Sequence, residues 1–118
     1  NNAQTVGMLN KKYFRLMQPY ATFINTGRGA QVVEADLIEA LREVPTRTAL
    51  LDVTDPEPAA QDSEWHKLDN VFLTPHIAGS QGQEVIRMAR FMIDECRNYL
   101  TGQPLRYRVT PDMLATMA

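Results

Sequence analysis

Three short apolar runs, each closed by a polar residue, constrain the fold of this chain more than any other feature. They are Ala21 to Asn25, Arg47 to Val53, which ends beside Asp52, and Val71 to Thr74. Runs of that length bounded by glycine or proline are the pattern of strands buried in a parallel sheet. Gly27 and Gly29 follow the first run, and Pro75 stops the third. Between the first two, Leu37, Ala40, Leu41 and Val44 repeat at intervals of three and four residues. Glu34, Asp36 and Glu39 sit toward the N-terminal end, where the helix dipole favours acids. This segment is predicted to be an amphipathic helix laid on the sheet.

The flanking segments fit the same plan. Asn10 is placed to cap a helix over about residues 10 to 18, which Pro19 ends. Residues 83 to 100 carry Ile86, Ala89, Ile93, Cys96 and Leu100 on one face, with Met92 beside them, and Gly102 and Pro104 as stop signals. This should be the longest helix. Thr110, Pro111 and Asp112 favour a short terminal helix. The connection from Thr54 to Asn70, with Asp55-Pro56-Glu57-Pro58 and Trp65, is too proline-rich at its start to be helical throughout, and connections this long tend to be functional. Helix, strand, helix, strand, loop, strand, helix predicts an α/β fold, half of a doubly wound, Rossmann-like parallel sheet flanked by helices.

Composition narrows the range of partners. A chain of 118 residues suits one small domain, which should bury roughly two-thirds of its unfolded surface. Its 12 basic and 14 acidic residues form neither a tail nor a block, which argues against nucleic acid or an anionic membrane and for a small molecule. Cys96 stands alone, so there is no disulfide framework or Cys-x-x-Cys metal spacing, and a reducing cytoplasm is the natural setting. No apolar run approaches the ~20 residues of a membrane span. The first residue is Asn1 rather than an initiator Met, which fits an expectation that the sequence is a piece of something longer.

Arg28, Asp52 and His76 fall at the C-terminal ends of the three predicted strands, the edge where open parallel sheets bind ligands. Arg28, between Gly27 and Gly29, is either a surface cation in a glycine turn or a guanidinium fork aimed at a carboxylate. His76 follows a Thr-Pro step and is either structural or a proton donor and acceptor near neutral pH. Glu57, between Pro56 and Pro58, is either a loop acid or a partner that would orient an imidazole and stabilise its charged form. Asp52 closes an apolar strand and is either a structural hydrogen-bonding group or a ligand for a polar cofactor edge. As a set, an anion-binding Arg and a His-carboxylate pair suit hydride chemistry, in which a carbonyl is polarised and protonated while a cofactor supplies the hydride.

Three segments, Phe23-Ile24-Asn25-Thr26-Gly27-Arg28-Gly29, Leu51-Asp52-Val53 through Pro58, and Leu73-Thr74-Pro75-His76-Ile77-Ala78-Gly79, resemble signatures of the D-isomer-specific 2-hydroxyacid dehydrogenases. Weaker similarity extends over roughly residues 5 to 105. The resemblance implies that Arg28 binds the substrate carboxylate and carbonyl, that His76 is the acid/base, and that Glu57 holds His76. It also implies that Asp52 contacts the nicotinamide carboxamide, that the backbone of Thr26 and Gly27 lies against the nicotinamide end of NAD or NADP, with NAD favoured, and that His76, Ile77, Ala78 and Gly79 line the same pocket. The implied parent is a homodimeric oxidoreductase acting on a small 2-hydroxy or 2-oxo acid. Residues 1 to 100 would be the back half of its cofactor domain, and residues 101 to 118 a tail returning to the substrate domain. His66 matches no catalytic position of the family and is expected to be inert.

One departure stands out. The Gly-x-Gly-x-x-Gly fingerprint that holds a pyrophosphate at a helix N-terminus is absent, as is the residue that would choose between NAD and NADP. The 118 residues alone are therefore expected to be inactive, and the first strand to present an unpaired edge prone to self-association. An alternative is a non-catalytic cofactor-binding protein of the same fold, such as the related corepressors. The formate dehydrogenase branch, which resembles this family but carries Gln as the histidine's partner, is disfavoured by Glu57.

Overall fold

The structure, a computed structural model, describes residues 3–115. Its elements run α1 (Lys11–Phe14), β1 (Thr22–Asn25), α2 (Glu34–Glu43), β2 (Thr48–Leu51), β3 (Val71–Leu73) and α3 (Gln83–Leu100), with short 3-10 turns at Gly29–Gln31, Glu64–Lys67 and Pro111–Ala115. By packing, the chain divides into two compact units between Gly79 and Ser80.

In the first unit the three strands form one parallel sheet in the order β1-β2-β3. One face carries Phe23, Asn25, Ala49, Leu51, Val71 and Leu73, and α2 supplies the buried stripe Leu37, Ala40 and Leu41 to the core on that side. Phe14 of α1 meets Phe23 edge to face with ring centroids 5.4 Å apart. Burying each of Leu37 and Leu41 contributes roughly 1.5–3 kcal/mol. The opposite face was expected to be buried as well, yet Ile24, Leu50 and Phe72, partners in register across the sheet, are all exposed. Because Phe23 and Ile24, Leu50 and Leu51, and Phe72 and Leu73 place apolar residues on both faces, the sequence does not reveal which face is covered.

The first helix is shorter than the predicted 10 to 18. Asn10 caps it, its side chain accepting from the Lys12 backbone N–H at 3.1 Å, but after Phe14 the chain tightens into i to i+3 turns at Leu16 and Met17. The Met17 carbonyl is taken by the guanidinium of buried Arg47, which also donates to the Ala40 carbonyl at 3.0 Å. A helix running on to residue 18 also meets the steric bias against helix just before Pro19. The connection from Thr54 to Asn70 is anchored rather than loose. Trp65 lies on the 3-10 turn at Glu64–Lys67 and is 2% exposed, and Glu64 pairs with Arg42 of α2 and with Lys67.

The second unit is built on α3, whose bounds are those the sequence predicts. No residue of α3 is buried, so its apolar stripe of Ile86, Ile93 and Leu100 is solvent-exposed. Glu95 accepts the backbone N–H groups of Arg106 and Tyr107 at 3.2 and 3.1 Å, and Tyr107 packs on Phe91. These contacts hold the tail along the helix. The predicted terminal helix is the 3-10 turn that begins at Pro111.

Candidate active site

The C-terminal ends of the three strands gather the candidate residues, all in the first unit. After β1 the chain turns through Thr26, Gly27 and Arg28, which are exposed. Asn25 shapes that turn from below: it is 7% exposed, its Oδ1 accepts the Gly27 N–H at 3.0 Å and its Nδ2 donates to the Arg28 carbonyl at 3.2 Å. Such an Asx turn fixes the backbone without help from the residues it presents. The Arg28 guanidinium donates through Nη1 to the Gly27 carbonyl at 2.7 Å. Among the described residues it shares no hydrogen bond with Asp52, Glu57 or His76.

After β2, Asp52 takes up three donors. Its Oδ1 accepts the Thr74 hydroxyl at 2.5 Å and the Ile77 N–H at 2.8 Å, and its Oδ2 accepts the Ala78 N–H at 2.9 Å. The Thr74 hydroxyl first, and then the two N–H groups, hold the Asp52 carboxyl below its ordinary value of 3.8, against the effect of burial. Asp52 is thus the clamp that organises the loop after β3. A carboxylate offers about four acceptor sites, and among the described residues these donors take three of them.

That clamp explains the backbone at His76, which adopts a left-handed conformation with φ 53°. Such a conformation costs on the order of 1–3 kcal/mol for a non-glycine residue and persists only where its surroundings enforce it. Here the His76 N–H donates to the Asp52 and Thr74 carbonyls, both at 3.0 Å, while Asp52 fixes the next two residues. The ring is thereby set against Glu57: Nδ1 lies 2.5 Å from Oε1, with both side chains partly open to solvent. Glu57 and His76 line a cavity of about 680 Å³ together with Asp52, Pro58, Leu73 and His66.

The structure therefore brings Asp52, Glu57, His76, Ile77 and Ala78 into one hydrogen-bonded group, and leaves Arg28 with Thr26 and Gly27 on the neighbouring turn. Gly79 has open space beside it. Sequence reasoning missed Asn25 and Thr74, the two side chains that brace these loops. A buried-type amide closing an apolar strand before Gly27, and a hydroxyl just ahead of Pro75, were the available signals. The His66 ring donates from Nε2 to the Ala60 carbonyl at 3.1 Å. Among the described residues no three His, Cys, Asp or Glu side chains are grouped to hold a metal ion. No helix there is long and apolar enough to cross a membrane.

A parallel sheet with its polar residues collected at one edge defines the class: an α/β, Rossmann-like nucleotide-cofactor fold. Comparison with known proteins names the family. Residues 1–78 match the family described as D-isomer specific 2-hydroxyacid dehydrogenase, NAD binding domain. A D-3-phosphoglycerate dehydrogenase of Archaeoglobus fulgidus is 35% identical over 106 residues, covering 90% of this chain and 20% of that protein. A glyoxylate/hydroxypyruvate reductase B of Enterobacter agglomerans is 37% identical over 111 residues, covering 94% of this chain and 34% of the other. The crystal structure of a D-isomer specific 2-hydroxyacid dehydrogenase from Xanthobacter autotrophicus Py2, in complex with NADPH and MES, superposes with a TM-score of 0.79 at 33% identity, over 95% of this chain and 36% of that one. The chain belongs to the D-isomer specific 2-hydroxyacid dehydrogenase family, through its NAD-binding domain. It spans about a third or less of the length of these relatives.

Proposed function

We propose that these residues form the acid/base half of the active site of an NAD(P)-dependent oxidoreductase that interconverts a D-2-hydroxy acid and its 2-oxo acid. The observation that carries this reading is the Glu57–His76 pair, 2.5 Å apart at the C-terminal edge of a parallel sheet, in a chain of this family. Because Nδ1 faces Glu57, Nε2 is the ring atom left to exchange a proton with substrate. In reduction, protonated His76 gives the Nε2 proton to the 2-oxo oxygen as the carbonyl carbon is reduced, and the Glu57 carboxylate stabilises the imidazolium beforehand. Arg28, on its exposed turn, binds the substrate carboxylate and offsets charge developing on the oxygen. Oxidation reverses these steps.

The edge residues suit a nicotinamide. Asp52 has one acceptor site in reserve for the carboxamide, Thr26 and Gly27 are exposed at the strand end, and Ile77, Ala78 and Gly79 flank His76. When bound, the reduced nicotinamide supplies the hydride. The family and the NADPH-bound relative support NAD or NADP as the cofactor. In this reading the glycine-rich phosphate loop lies in sequence outside the 118 residues. Residues 101–118 are the tail that returns to the substrate domain, and the parent is a cytoplasmic homodimer.

The test is oxidation of reduced nicotinamide by the parent protein against a panel of 2-oxo acids that includes glyoxylate, hydroxypyruvate and longer side chains. Turnover by the parent and none by the 118-residue chain is expected. A parent that binds the cofactor yet reduces nothing in the panel would favour a non-catalytic binding protein.

A further inference from the structure

Glu57 stands on a proline-flanked connection, and the structure shows what fixes that connection in place. Gly29, directly after Arg28, is buried, and its backbone lies against the backbone of Thr54 and Asp55. A Cβ at this position would fall 2.1 Å from the Thr54 carbonyl oxygen, 2.2 Å from its carbon and 2.8 Å from the Asp55 nitrogen. Ordinary carbon–oxygen approach begins at roughly 3.3 Å. Every atom in the way is main chain, so no side chain can rotate aside. Gly29 is also absent from the positive-φ glycines, Gly7, Gly82 and Gly102, so contact rather than backbone conformation demands glycine here.

A second tie comes from α2. Oε1 of Glu34, its first residue, accepts the Asp55 N–H at 3.0 Å. Two residues further on is Glu57. The turn that carries Arg28, the N-terminus of α2 and the segment that carries Glu57 are thus locked together at Thr54–Asp55, by one backbone-to-backbone contact and one hydrogen bond.

We infer that Gly29 and Glu34 are positioning residues for the Glu57–His76 pair, setting the Glu57 carboxylate at its distance from the imidazole and at a fixed offset from Arg28. The inference deepens the functional reading above and rests on it for its catalytic consequence. Neither residue touches the reacting atoms. An Ala at position 29 has to push Thr54 away by about 1 Å. A displacement of that size is worth up to about 100-fold in rate when it falls on catalytic geometry. Glu34 acts as a hydrogen-bond acceptor in this scheme, so Gln can replace it and Ala cannot.

Two readouts on the parent protein decide the matter. The first is the downfield ring N–H proton of His76 in the NMR spectrum, assigned by its loss in His76→Ala. It reports the Glu57 contact whether or not any substrate is known. It is expected in the wild type and in Glu34→Gln, and weakened or lost in Glu34→Ala and Gly29→Ala. The second is steady-state kinetics: kcat should fall about 100-fold in Gly29→Ala and less in Glu34→Ala, with KM for the 2-oxo acid little changed and Glu34→Gln restoring kcat. If Gly29→Ala does not fold, the Glu34 pair of variants still decides. The inference is overturned if the ring proton is absent from the wild type, if it is unaltered in Glu34→Ala, or if Gln behaves as Ala does. A wild-type parent with no turnover would defeat the functional reading, while the ring proton would still test the positioning.

Discussion

Asp52 shows how a single carboxylate can fix a loop and respond to acid. Its three donors belong to a loop that begins 22 residues further along the chain, so its ionised form is stabilised only in the folded state. The sign of the pH dependence follows from its lowered folded-state value. The stabilisation is fully present above the ordinary value of 3.8 and is lost as the pH falls below that, through the folded-state value. Asp52→Asn should therefore be less stable than the wild type at neutral pH, and the gap should narrow at pH about 3. Urea midpoints of both proteins across that range measure it. Because Glu64 and Glu95 are also lowered, the first by Lys67 and Arg42 and the second by the backbone of Tyr107 and Arg106, only the difference between the two proteins isolates Asp52. Two midpoint curves that stay parallel would show that Asp52 contributes nothing dependent on its charge.

Among the elements, legibility in the sequence tracked how local each determinant is. The helix Gln83–Leu100 could be read to the residue because its pattern is long and its stops, Gly102 and Pro104, are adjacent. α2 could be read because Leu37, Ala40 and Leu41 repeat at helical spacing, and the structure buries all three. α1 was overestimated because Pro19 was read as its end, whereas the chain leaves the α-helix after Phe14 in i to i+3 turns at Leu16 and Met17. Trp65 as a core residue, and the 3-10 turn that carries it, were hidden inside a segment whose prolines suggested only irregular chain. The site divides in the same way. Arg28, Glu57 and His76 were visible as chemistry-bearing residues beside strand ends, whereas Thr74, Gly29 and Glu34 act on the Asp52 carboxylate and on the Thr54 and Asp55 backbone, which only the fold brings near. The packing of α2 gives a direct check. Leu37, fully buried, should cost about 2–5 kcal/mol when replaced by Ala. That loss should appear as a lower urea midpoint with unchanged slope; a change under about 1 kcal/mol would mean that the stripe is not the centre of the core.

For the whole molecule, the exposed apolar surface is the feature with consequences. β1 pairs with β2 on one side, and its other side meets no strand among the described residues. Ile24, Leu50 and Phe72 form an exposed row across the three strands. Parallel sheets are ordinarily covered on both faces, and an open edge beside an apolar face promotes pairing between chains. The 118-residue chain should therefore self-associate as its concentration rises, and Ile24→Lys should reduce that association. Light scattering reads both, and a clean monomer of the unmodified chain at high concentration would contradict the expectation.

The proposed chemistry has His76, held by Glu57, move the proton that accompanies carbonyl reduction. It is tested most directly by His76→Ala in the parent protein, comparing kcat on the best 2-oxo acid of the panel with binding of the reduced nicotinamide. Loss of a positioned acid/base lowers kcat by about 100- to 10,000-fold, and a loss of that size is expected in His76→Ala with cofactor binding retained. A His76→Ala protein that turns over within a few-fold of the wild type would contradict it.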